Sequence, residues 1–124
     1  MKEKGPLWKS FYYAFSGIVK GIVAERNMFI HFTIMCLVIM GGFFFHINSR
    51  EWLIIIMLIG LVLSLELVNT AIEYTVDICS PGYSEKAKTA KDTAAGAVLI
   101  AVIIAVVNGL IIFLPKVIDF LSTI

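Results

Sequence analysis

The sequence predicts an all-α integral membrane protein: three transmembrane helices preceded by an amphipathic helix lying on the membrane surface. Three observations carry that expectation. Of 124 residues, 60% are hydrophobic and only 15% charged, whereas a soluble domain is about half apolar and a quarter charged. A soluble chain this short has too little interior to bury so much apolar surface. The apolar residues also come in blocks close to the roughly 20 residues an α-helix needs to cross a bilayer core, and the alternation of a β-barrel strand is absent.

Taken in order, residues 8–24 form the first element. Trp8, Phe11, Tyr12, Phe15, Ile18 and Ile22 recur every three or four positions, with Lys9, Ser10, Ser16 and Lys20 between them, which makes an amphipathic stripe suited to the membrane interface. Gly17 and Gly21 weaken this helix somewhat. The first span, about 28–47, is interrupted up to Phe45 only by His31 and Thr33. It starts too deep in the chain and ends in too bulky a Phe-Phe-Phe run to be a cleavable signal peptide. The second span, about 52–72, opens without charge after a short turn at 46–51. Pro81-Gly82 marks the next loop. The third span, about 94–114, carries one strongly polar residue, Asn108, and Pro115 is expected to end it, leaving 117–124 as a tail. No repeat, linker or second domain is visible, so the chain reads as one membrane domain.

Lys2, Lys4, Lys9, Lys20 and Arg26 precede the first span, and Lys86, Lys88 and Lys91 fall between the second and third. The other side receives only Arg50 and Lys116. By the positive-inside rule the N-terminus and second loop face the cytoplasm. Cys36 within a span and Cys79 in a loop differ in depth, so neither a disulfide nor a metal spacing is expected. The near-zero net charge says nothing for nucleic acid.

Ionisable groups inside a span are costly and therefore candidates for function. On a helix turning about 100° per residue, with Glu66 at 0°, Asn69 falls near about −60°, Glu73 near about −20° and Asp77 near about +20°. Three carboxylates and an amide thus share one face. Glu73 and Asp77 should emerge at the cytoplasmic interface, with Glu66 about 10 Å deeper than Glu73. Glu25 before the first span and Lys91-Asp92 before the third arrive at the same level.

Carboxylates without cysteine suit a hard cation such as Mg²⁺, which takes one or two of them and fills its other sites with water and substrate phosphates. Glu66, nearest the apolar interior, is placed to act as general base towards a lipid hydroxyl. Lys91 can neutralise a polyphosphate. The plainer alternative is that these charges merely pair between helices. His31 reads as a packed polar residue near the interface, and Asn108 as a hydrogen-bonding partner for a neighbouring helix. No P-loop or glycine-rich kinase loop occurs.

The string Glu66-x-x-Asn69-Thr70-Ala71-Ile72-Glu73-x-x-x-Asp77, followed by Lys91-Asp92-x-x-Ala95-Gly96-Ala97-Val98, resembles the signature of the bacterial integral membrane diacylglycerol kinases. The resemblance runs from about Phe11 to Leu114 and includes the spacing from Glu25 to Glu66. It implies a homotrimer that uses ATP and Mg²⁺ to phosphorylate a lipid alcohol. By position Glu66 matches the family's base, Glu25 and Glu73 its metal ligands, and Asn69, Lys91 and Asp92 further active-site positions. Gly82, Tyr83 and Ser84 fall where the family contacts nucleotide, and Tyr13 matches a nucleotide-proximal tyrosine. Lys9 is the candidate for a basic residue that otherwise has no clean counterpart.

Glu25-Arg26-Asn27-x-x-x-His31 and the second span look like the Gram-positive branch, which acts on undecaprenol. The resemblance therefore implies undecaprenyl phosphate as product, made at the cytoplasmic membrane. Diacylglycerol as substrate, with phosphatidic acid as product, stays open. So does a different class, a small oligomeric ion-coupled transporter using Glu66 as its ion site.

Overall fold

The computed structural model describes residues 5–124, so Lys2 and Lys4 of the charge pattern lie outside the described residues. It is all-helical, with α1 at Leu7–Ala24, α2 at Arg26–Phe44, α3 at Ser49–Cys79 and α4 at Glu85–Ser122. The last three are long and apolar enough to cross a membrane.

Helix α1 starts after Pro6, whose carbonyl accepts the Lys9 N–H at 3.0 Å. Trp8, Phe11, Tyr12 and Phe15 are exposed along it, as the amphipathic stripe requires if it faces lipid. The chain then breaks at a single residue. Glu25 is extended (φ −118°, ψ 128°), ending α1 and starting α2, and its carbonyl accepts the Phe29 N–H at 3.2 Å.

The turn at 45–48 is tightly specified. His46 adopts a left-handed φ of 52°, the Ile47 N–H reaches back to the Gly42 carbonyl at 3.1 Å, and the His46 N–H to that of Phe43. This is the Schellman closure of a helix C-terminus. Ile47 and Trp52 fold over Gly42 so closely that no Cβ fits there. Asn48 and Glu51 then form a reciprocal capping box, Glu51 N–H to Asn48 Oδ1 at 2.9 Å and Asn48 N–H to Glu51 Oε1 at 3.1 Å. Ile47, Ile55 and Ile112 form a small core beside it, flanked by Phe45, Trp52 and Phe113.

Two expectations need correction. Helix α4 does not end at Pro115 but continues to Ser122. A mid-helix proline forfeits a hydrogen bond and strains the preceding turn, costing about 3 kcal/mol, yet contacts on its far side hold the helix on course. Lys116 Nζ donates to Glu51 Oε2 at 3.1 Å, and Phe120 packs edge-on against Phe44 and Phe45. Secondly, Lys86, Lys88 and Lys91 are not in a loop. They lie on the first turns of α4, which Ser84 caps by accepting the Ala87 N–H. The connection is only the turn at 80–84, and Cys79 is the last residue of α3.

At 31 residues α3 is about 46 Å long, and the 38 residues of α4 span about 57 Å. Both exceed the roughly 30 Å hydrocarbon core, so each has helix to spare outside it. Helices α3 and α4 pack along each other. Helix α1 touches α2 and α3, and α2 approaches α4 at the turn end, where Phe44 meets Phe120 and Gly41 faces Phe113.

Candidate active site

Only three polar residues among those described are buried, and all three are on α3: Glu66 at 4% exposure, Asn69 at 8% and Thr70 at 5%. Thr70 is satisfied locally, its hydroxyl donating to the Glu66 carbonyl at 3.1 Å. The other two lack that local solution. Asn69 Nδ2 donates to Glu73 Oε1 at 3.1 Å, which fixes the amide and leaves its buried Oδ1 without a partner. Buried polar atoms are nearly always paired, so an orphaned acceptor marks where something further belongs. The bond also confirms that Asn69 and Glu73 share a face.

Glu66 faces α2. Its Oε2 lies 3.4 Å from His31 Nε2, and the pair is largely shielded, the two side chains being 5% and 21% exposed. Glu73 lies about two turns further along the same face of α3, and Glu25 sits at the break between α1 and α2. Glu25 is held there by the seating of α1 on α3, where Gly21 is buried against Leu67. The structure therefore gathers Glu25, Glu66, Asn69 and Glu73, and adds His31.

The remaining candidates sit apart. Lys91 is drawn to Asp77 in a direct ion pair between α4 and α3. Asp92 pairs instead with Lys88, one turn back on its own helix, at 2.6 Å. Lys9 and Tyr13 are exposed on α1, Lys9 lying over the Trp8 ring and Tyr13 against Tyr12. Gly82 and Tyr83 are exposed in the turn, where the Gly82 carbonyl accepts from Ser80 Oγ, and Ser84 caps α4. Among the described residues no hydrogen bond or ion pair joins these to Glu25, Glu66 or Glu73.

His31, read from the sequence as a packed polar residue near the interface, is the neighbour of Glu66. One signal was available. It lies five residues into α2, about 8 Å along the axis, and Glu66 lies about 10 Å before Glu73. The two were therefore at matching depth.

From His31 an apolar groove of about 330 Å³ runs between α2, α3 and α4 to Phe113. Val62, Ile55, Val102 and Leu110 are among its walls, and His31 is its only polar lining side chain. A carboxylate cluster at the head of a slot for hydrocarbon is an arrangement for chemistry on the polar end of a lipid.

The comparisons with known proteins agree. The profile of the prokaryotic diacylglycerol kinase family matches residues 12–113, and the chain belongs to that family. It is an integral membrane lipid kinase, which uses ATP and a lipid substrate; the transporter reading falls away. Among relatives, it is 46% identical to the undecaprenol kinase of Bacillus subtilis over 92% of this chain and 93% of that one. It is 38% identical to the diacylglycerol kinase of Synechocystis over 90% of this chain and 65% of that one.

Proposed function

We propose that this kinase transfers the γ-phosphate of ATP to undecaprenol, giving undecaprenyl phosphate and ADP, and that it does so at the cytoplasmic face as a homotrimer. The observation that carries the reading is the buried Glu66 beside His31, the one polar residue of a groove lined otherwise by hydrocarbon. The likeness to the undecaprenol kinase over nearly the full length of both chains supports the same substrate.

Glu66 takes the proton of the lipid hydroxyl as its oxygen attacks the γ-phosphorus. The bond from that phosphorus to the β–γ bridging oxygen breaks, and ADP leaves. The donor set fits Mg²⁺: two carboxylates, Glu25 and Glu73, at the level of the phosphates, and an unpaired amide oxygen on Asn69 beside them. Mg²⁺ commonly takes one or two protein carboxylates and fills its other positions with phosphate and water. Bound between those carboxylates and the nucleotide, Mg²⁺ would neutralise charge developing on the transferred group. Lys91 and Asp92, with Tyr13, Lys9 and the turn at 82–84, are the groups assigned to the nucleotide. Lys91 reaches phosphate by exchanging Asp77 for it.

Seven of the ten lysines and arginines fall before α2 or at the start of α4, and an eighth, Arg26, heads α2 itself, which supports the cytoplasmic orientation. Diacylglycerol is the second reading, favoured by the Synechocystis relative. A site built for it should offer polar partners to its ester carbonyls, because such partners are what reject an analogue lacking the group. The groove lining offers His31 alone. Measuring kcat/KM for both lipids in one mixed-micelle system tests the assignment. A higher value for undecaprenol is expected, and a clear preference for diacylglycerol would reverse it.

A further inference from the structure

We propose that His31 is a positioning residue for phosphoryl transfer, its imidazole steering the Glu66 carboxylate towards the lipid hydroxyl at the mouth of the groove. The inference rests on the role of Glu66 given above. Two observations meet at His31. Its Nε2 faces Glu66 Oε2 at 3.4 Å, and the same ring is the sole polar group lining the groove. A lipid tail in that slot must bring its head past the imidazole to reach Glu66.

The chemistry of the pair suits this task. Nε2 is the ring nitrogen that faces Oε2, at 3.4 Å, and with its hydrogen on that side it donates to Oε2 and leaves Oε1 outside the contact. The separation is longer than a closed hydrogen bond, as catalytic contacts commonly are before substrate tightens them. A lysine here would bring a fixed charge into the span, which is costly, and would bind the carboxylate as a full ion pair. An imidazole N–H orients one carboxylate oxygen through a single directed contact. Its own position is set by the helix that begins at Glu25, so one rigid element carries both a candidate metal ligand and the group that aims the base.

A purely structural histidine would make a different prediction, since its loss would cost stability while leaving the kcat of the folded protein alone. The test uses the full chain in mixed micelles with undecaprenol, ATP and Mg²⁺, comparing His31→Gln, which keeps an N–H of similar reach, with His31→Leu, which keeps bulk alone. The leucine variant should lose about tenfold or more in kcat with an unchanged KM for ATP, because an interaction used in the transition state has been removed. The glutamine variant should recover most of that loss. Wild-type kcat in His31→Leu, or equal losses in both variants, would overturn the proposal. If the leucine variant does not accumulate, His31→Phe supplies the same comparison without a donor. Wild-type and Glu66→Gln proteins are run alongside. An active Glu66→Gln enzyme would refute the base assignment and this inference together, whereas an inactive one beside an unimpaired His31→Leu would refute this inference alone.

Discussion

Gly21 of α1 and Leu67 of α3 meet so closely that a methyl group on the glycine would overlap the leucine's Cδ2. That contact seats the surface helix one residue from Glu66 and delivers Glu25 to the carboxylate cluster at the end of the same helix. Gly21→Ala meets only the rotatable tip of Leu67 and gains about 1 kcal/mol of helix propensity, so it should keep most of its turnover. Gly21→Leu overpacks the contact at a cost of about 1–3 kcal/mol and should lift α1 away. Its kcat should fall further than the yield of folded protein, as read by turnover alongside thermal unfolding in detergent.

Glu66→Gln preserves shape and removes the proton acceptor. Loss of a general base lowers rates by about 10²–10⁴. Turnover should fall in that range at saturating ATP and lipid, with membrane insertion and oligomeric state unchanged. Near-normal turnover would remove Glu66 from the role.

Glu25 lies in the break between α1 and α2 and Glu73 on α3, and both are assigned to one ion. Each of Glu25→Gln and Glu73→Gln should raise the Mg²⁺ concentration giving half-maximal activity. Glu73→Gln should show the additional effect of disturbing Asn69, whose amide it orients at 3.1 Å. Unchanged Mg²⁺ titrations in both variants would contradict the assignment.

Cys79 ends α3 beside the turn that joins it to α4, and Cys36 lies midway along α2. A membrane-impermeant thiol reagent should label Cys79 in inverted vesicles and not in intact cells, and should leave Cys36 unlabelled in both. Labelling of Cys79 from outside the cell would invert the topology and with it the access to cytoplasmic ATP.

What could be read from the sequence was whatever one helix decides for itself. The shared face of Asn69 and Glu73 follows from helical pitch, and their hydrogen bond bears it out. The amphipathic stripe of α1 and the three long apolar helices follow from periodicity and length. What escaped was decided between helices. Nothing local says that Lys116 will reach Glu51, or that Phe120 will meet Phe44, so Pro115 read as a terminus. His31 has no polar neighbour in sequence that would announce Glu66. Asn48-x-x-Glu51 was a legible capping signal that went unused. The pairing of Lys91 with Asp77 needed the register of α4 against α3, which only their packing supplies.

The groove is an apolar slot between α2, α3 and α4, helices long enough to cross the bilayer. A long-chain alcohol can slide in sideways from the bilayer without drawing its tail through water. The encounter is then a two-dimensional one, governed by how many alcohol molecules each patch of membrane holds. Diluting the membranes in buffer should leave the rate per enzyme unchanged, while diluting the alcohol with inert lipid should lower it, so its KM is properly a mole fraction.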